Sequence, residues 1–216
     1  MNQILVNCHN RQNNSLCIKK NNKNNIYKAL FIFSILLLLI SIIFLFVKLY
    51  KNSKNERISQ KLNASYSVST LYSKNIISNS IVVDKSEPFV IGIIKIDKIN
   101  VNYSILSISN NELLDISVCR FAGPMPNEIG NLCIAGHNYV DYKFFSRLNE
   151  LIIGDIITIY DLNGNNINYK IYDKYETTYD NTSCTFQETN GLKLITLVTC
   201  NNVNGKRLVI HAKEIP

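Results

Sequence analysis

Nineteen consecutive residues without a charge, Ala29 to Val47, set the first boundary on what this chain can fold into. Only Ser34 and Ser41 interrupt the run of large apolar side chains. At about 1.5 Å per residue, a helix of this length spans roughly the 30 Å hydrocarbon core of a bilayer. Helices on the surface of water-soluble domains keep a polar face, and this one has none. A cleaved secretory signal has a shorter apolar centre and a small-residue cleavage site, which Lys48-Leu49-Tyr50-Lys51-Asn52 does not supply. An uncleaved transmembrane signal anchor over residues 29–47 is therefore expected.

Charge divides the chain on either side of residue 80. Residues 1–80 hold 11 Lys/Arg and 1 acid (+10), residues 81–216 hold 12 Lys/Arg and 15 acids (−3), and the total is +7. Nucleic-acid binding by the folded part is excluded on this ground, because neutralising phosphates requires a basic face. Arg11, Lys19, Lys20, Lys23 and Lys28 precede the anchor with no acid among them. They predict a cytoplasmic N-terminus and an extracytoplasmic C-terminal domain. Lys48, Lys51, Lys54, Arg57 and Lys61 pull the other way, but a folded domain translocates with its own charges. The Asn-rich residues 1–28 read as a mobile basic tail. Residues 48–85 read as a juxtamembrane spacer with a weak helix around Ser59 to Tyr72, and 86–216 as the folded C-terminal domain.

Within that domain the apolar pattern is mainly that of strands. Phe89–Ile96, Val101–Leu106, Asn131–Gly136, Asp155–Tyr160, Asn166–Tyr175, Lys193–Thr199 and Arg207–Lys213 are short and rich in β-branched or aromatic residues. Asn163-Gly164-Asn165 and Asn204-Gly205 are turn signals between them. Tyr142 to Ile153 spaces Phe144, Phe145, Leu148, Leu151 and Ile152 by three to four residues and stops at Gly154, which predicts a helix. The expected fold is mainly β, a barrel or sandwich with one or two short helices, preceded by a single transmembrane helix.

Six cysteines raise the question of disulfides and metals. Cys8 and Cys17 fall in the tail, and Cys119, Cys133, Cys184 and Cys200 in the domain. None forms a CxxC pair, so a zinc knuckle or a thioredoxin-like site is not expected. Cys133 reads as a small buried hydrophobe, and a Cys119–Cys133 pairing stays open. Cys184 is expected at the surface without a catalytic role. Asp173, Glu176, Asp180 and Glu188 lack the regular spacing of a calcium loop, so no metal and no cofactor are expected.

Three residues carry complementary chemistry. Cys200 can act as nucleophile, His137 as general acid and base, and Arg207 as a fixed cation for substrate and developing oxyanion. Strand alternation puts Leu194, Thr196, Val198 and Cys200 on one face, and a six-residue loop leads to Arg207. A hairpin there would make Cys200 and Arg207 neighbours. Thr199 and Asn138, beside the nucleophile and the imidazole, are candidate substrate contacts, and a structural role for Thr199 is an equal alternative.

The string Thr196-Leu197-Val198-Thr199-Cys200 followed by Arg207-Leu208-Val209-Ile210 resembles the TLxTC and distal Arg signature of sortases. Ile134-Ala135-Gly136-His137-Asn138 resembles their catalytic histidine segment, and the likeness extends over about residues 88–214. The resemblance implies a closed eight-stranded β-barrel and a membrane-anchored cysteine transpeptidase. Such an enzyme cleaves an LPxTG-like sorting signal after its Thr through a Cys200 thioester. It then transfers the carried protein to an amine acceptor such as a peptidoglycan precursor. A class D-like or general housekeeping enzyme is the preferred subclass, although Ala135-Gly136-His137-Asn138-Tyr139 is similar to class B. A hydrolytic cysteine peptidase, and a non-enzymatic tethered β-domain that binds envelope peptides, are the competing expectations.

Overall fold

The computed structural model describes residues 3–73, 88–139, 141–200 and 205–216, with side chains of the N-terminal helix described over 26–65. The chain divides into two compact units, Met1–Ser53 and Lys54–Pro216. The first is formed by the helix α1 (Gln3–Ser73), which continues into the second. Among the described residues, Ile26–Ser65 is one helix long and apolar enough to cross a membrane, and none of its most apolar stretch is buried against protein.

The second unit contains a closed barrel. Its strands are β1 (Val90–Ile96), β2 (Val101–Leu106), β3 (Val118–Ala122), β4 (Gly130–Ala135), β5 (Ile156–Asp161), β6 (Asn166–Thr177), β7 (Lys193–Cys200) and β8 (Arg207–Glu214). They close in the order β1-β2-β3-β4-β7-β8-β6-β5. Seven coincide with the expected segments to within two residues at each end. The eighth, β3, was not expected from the pattern. Its sequence Val-Cys-Arg-Phe-Ala has no alternation, and the Arg120 side chain is held by the carbonyls of Ser107 and Gly123 at 3.1 and 2.8 Å.

Closure removes free sheet edges and leaves an interior for apolar side chains. Ile94, Ile96, Ile105, Ile134, Ile157, Ile159, Ile195, Leu197 and Ile210 are all fully buried there. β-Branched residues suit this pleated, enclosed surface.

The helix expected over 142–153 does not form. Phe144, Phe145, Leu148 and Leu151 are buried as the spacing implied, but Ile152 is exposed. Their backbone runs through successive tight turns, with Ser146 N–H on Lys143 C=O, Leu148 N–H on Phe145 C=O and Leu151 N–H on Leu148 C=O. Tyr142 and Phe144 have φ of 62° and 51°, which no right-handed helix accommodates. Only Leu148–Glu150 makes a single 3-10 turn. Turns of three residues reproduce a three-to-four spacing of buried positions, and this is why the pattern read as helical.

Phe145 is the centre of that connection. Its ring packs so close to Gly136 that a Cβ there would lie 2.8 Å from two ring carbons. The glycine before His137 is therefore required by close approach. Phe145→Ala is expected to cost about 3–5 kcal/mol, read as a lowered midpoint of thermal or denaturant unfolding.

One further contact belongs to the same unit. Asn63 of α1 donates from Nδ2 to the Asn102 carbonyl at 2.9 Å and accepts at Oδ1 from the Ser104 N–H at 2.7 Å. Its amide acts as a single added peptide group along β2, whose pairing with β3 starts only at Ile105.

Candidate active site

The nucleophile candidate lies at the end of β7, which alternates between two environments. Ile195 and Leu197 enter the barrel core. Thr196 and Val198 lie outside it, under the β6–β7 connection, with Val198 packed on Cys184 and Val209. Cys200 continues this outer parity and is exposed, whereas the thiols of Cys119, Cys133 and Cys184 are free and buried. Burial pushes the Cys119 and Cys133 thiols up to about 12, so both stay protonated and inert near neutrality. The surface position expected for Cys184 is corrected by this packing: the 3-10 turn Ser183–Thr185 folds its side chain inward.

β7 and β8 are antiparallel, with Cys200 directly opposite Arg207. The hairpin expected from the six-residue spacing is thus present, although Asn204 of its turn signal lies outside the described residues. The Arg207 guanidinium stacks over the Tyr179 ring, 4.1 Å from its centroid. This cation–π contact lets the fork be aimed without burying it.

His137 arrives from the other side. β4 and β7 are parallel, with Ala135 beside Val198, and the alignment continues beyond β4. Gly136 N–H donates to Val198 C=O at 3.1 Å. Thr199 Oγ1 donates to Gly136 C=O at 2.7 Å, and Asn138 Nδ2 donates to Cys200 C=O at 2.8 Å. The two residues expected as substrate contacts therefore make reciprocal bonds between the strand end and the segment of His137, Thr199 to the carbonyl before the histidine and Asn138 to the carbonyl of Cys200.

The imidazole is flanked by Tyr139, with ring centroids 5.0 Å apart, and its Nε2 lies 3.8 Å from Asp115 Oδ1. Neither neighbour stood out in the sequence. Asp115 is an isolated acid after a four-residue helix, with no motif to mark it.

A polar layer secures the β6–β7 connection beside Arg207. Asn131 Nδ2 donates to the carbonyls of Cys184 and Phe186 at 3.0 and 3.1 Å, and its Oδ1 accepts from Thr196 Oγ1 at 2.7 Å. His211 Nδ1 lies 2.8 Å from Thr196 Oγ1 and its Nε2 lies 3.2 Å from the Tyr175 hydroxyl. Burial pushes the His211 pKa down against the opposing pull of Asp173, which keeps this histidine neutral and structural. Among the described residues, no group of three or more His, Cys, Asp or Glu is arranged to hold a metal ion.

An exposed thiol, a guanidinium in direct register and an imidazole just past the adjoining parallel strand form an arrangement suited to acyl transfer. Residues 94–215 match the sortase domain model. The chain belongs to the sortase family. Among solved structures, this sortase is similar to a Clostridium perfringens sortase D5 transpeptidase. The identity is 27%, with 74% of this chain and 97% of that one covered and a TM-score of 0.57. Sortase C-1 from Actinomyces oris shares the fold at 24% identity, covering 71% of this chain and 99% of that one with a TM-score of 0.54. A lid mutant of sortase A from Corynebacterium diphtheriae does so at 20% identity, covering 73% and 96% with a TM-score of 0.55. Comparison with curated proteins yields no significant match. The molecule is a transpeptidase with the closed eight-stranded barrel of its family.

Proposed function

We infer that this sortase cleaves an LPxTG-like sorting signal after its Thr and joins the carried protein to an amine of the cell wall. The observation that carries this reading is the register of Cys200 against Arg207, with the His137 segment bonded alongside. In the proposed cycle the Cys200 thiolate attacks the Thr carbonyl carbon, forming a C–S bond while Arg207 holds the oxyanion. Collapse breaks the peptide bond, and His137 as imidazolium gives its proton to the departing amine. The incoming amine then attacks the thioester, His137 takes its proton, and the C–S bond breaks to release the new amide and the Cys200 thiolate beside the restored imidazolium. Thr199 and Asn138 hold the backbone that carries these groups.

The apolar helix supports a single-pass anchor over 29–47, with 1–28 cytoplasmic, 48–85 as a spacer and 86–216 outside the cell membrane. The likeness to the D5 enzyme supports a class D-like assignment.

The decisive test incubates the full-length protein in detergent micelles with a labelled LPxTG-type pentapeptide library and triglycine. A peptide–triglycine adduct is expected, together with an acyl-enzyme mass on Cys200. Free acid without any adduct would assign the enzyme to hydrolysis. No acyl-enzyme at all would remove the sorting-signal reading.

A further inference from the structure

Asp115 occupies a fixed position. The short helix α2 (Asn111–Leu114) is capped by the Asn110 side chain, which accepts the Leu113 N–H at 2.8 Å. The turn that follows is closed by the N–H groups of Ile116 and Ser117 on Leu113 C=O, both at 2.9 Å. The Asp115 carboxylate therefore sits on a supported corner between α2 and β3.

That carboxylate faces two rings. It accepts a hydrogen bond from the Tyr139 hydroxyl at 2.5 Å, and Nε2 of His137 is 3.8 Å away. Burial, reinforced by the bond to Asp115, pushes the Tyr139 phenol up, so it remains a donor under physiological conditions. Tyr139 also packs on Phe144, with centroids 5.9 Å apart, and Phe144 on Tyr103 at 5.0 Å. The phenol is thereby held from its ring side as well as from its hydroxyl.

We propose that Asp115 is a positioning residue for His137: with Tyr139 as its brace, it faces Nε2 and fixes the ring plane. A carboxylate 3.8 Å from Nε2 on one side and the Tyr139 ring on the other leave the imidazole little freedom to rotate. A ring held in one plane can take the Cys200 proton and return it to the leaving amine from a single fixed geometry. Rigid support behind a reacting group is what keeps its geometry productive. The inference rests on His137 being the proton carrier, as proposed above.

Its test requires no knowledge of the natural sorting signal. In the full-length protein, alkylation of Cys200 by iodoacetamide at pH 7, read by peptide mass spectrometry, is expected to slow about fivefold in Asp115→Asn. Asp115→Glu is expected to restore at least half of the rate. Tyr139→Phe, which keeps the ring but removes the brace, is expected to slow it about threefold. With an LPxTG-type peptide and triglycine, Asp115→Asn is expected to lower kcat about tenfold while KM stays within twofold. An unchanged alkylation rate in Asp115→Asn with an unchanged melting midpoint overturns the inference, as does a defect confined to KM. If Asp115→Asn fails to fold, Tyr139→Phe decides by the same readouts. His137→Ala separates the two levels. Retained transfer in that variant removes the underlying reading, whereas lost transfer beside a normal Asp115→Asn removes only the role of Asp115.

Discussion

Cys200→Ala is expected to abolish acyl-enzyme formation and to lower transfer by a factor on the order of 10⁴ or more, with the barrel intact. The fold should tolerate the change because the side chain is exposed at the outer end of β7, beyond the last core position of that strand. Deleting an exposed sulfur creates no cavity, so the cavity penalty that accompanies core truncations is absent. Circular dichroism and the melting midpoint should therefore match the parent while mass spectrometry finds no thioester. Transfer that survives the substitution would reject Cys200 as nucleophile.

Arg207→Lys carries the second large effect. A lysine preserves the positive charge but replaces a planar, five-donor fork by a compact ammonium on a flexible stem. In the parent, stacking on Tyr179 limits where the guanidinium can point, and the strand register sets it opposite Cys200. An ammonium forms a weaker stack and cannot donate two parallel bonds. The expected loss in kcat/KM is about 10²- to 10³-fold, comparable to removal of an oxyanion-hole donor. It is measured as peptide–triglycine product formed per unit time over a range of peptide concentrations. A near-normal rate would reduce Arg207 to a source of charge and leave the fork without a role.

Much of this site could be read before the structure because its geometry is local. Strand parity and a short loop suffice to pair Cys200 with Arg207, since a hairpin converts sequence spacing directly into register. The other strands were legible for a related reason: runs such as Val-Ile-Gly-Ile-Ile-Lys-Ile in β1 have little choice but to line a barrel. What failed to show was decided by partners distant in the chain. β3 takes its conformation from β4 and from a short parallel pairing with β2, neither of which leaves a period in five residues. The 142–153 segment is shaped by the need to seat Phe145 against Gly136, and that requirement overrides helix spacing. Cys184 turns inward because Asn131, 53 residues away, holds its carbonyl. Asp115 is informative only once Tyr139 and His137 are beside it.

The parallel alignment of β4 and β7 joins Thr199 to a carbonyl 63 residues earlier, and β8 lies between β7 and β6. Thiol and guanidinium thus sit on two strands and the imidazole two residues past the end of a third, and the strand bearing the guanidinium is the eighth in chain order. Contacts of such long range form late, after loop closure has been offset by burial of the core. The consequence is temporal: until β8 is paired with β7, Cys200 stands apart from Arg207. The three groups come together only with completion of the barrel, so a partly folded chain lacks their arrangement.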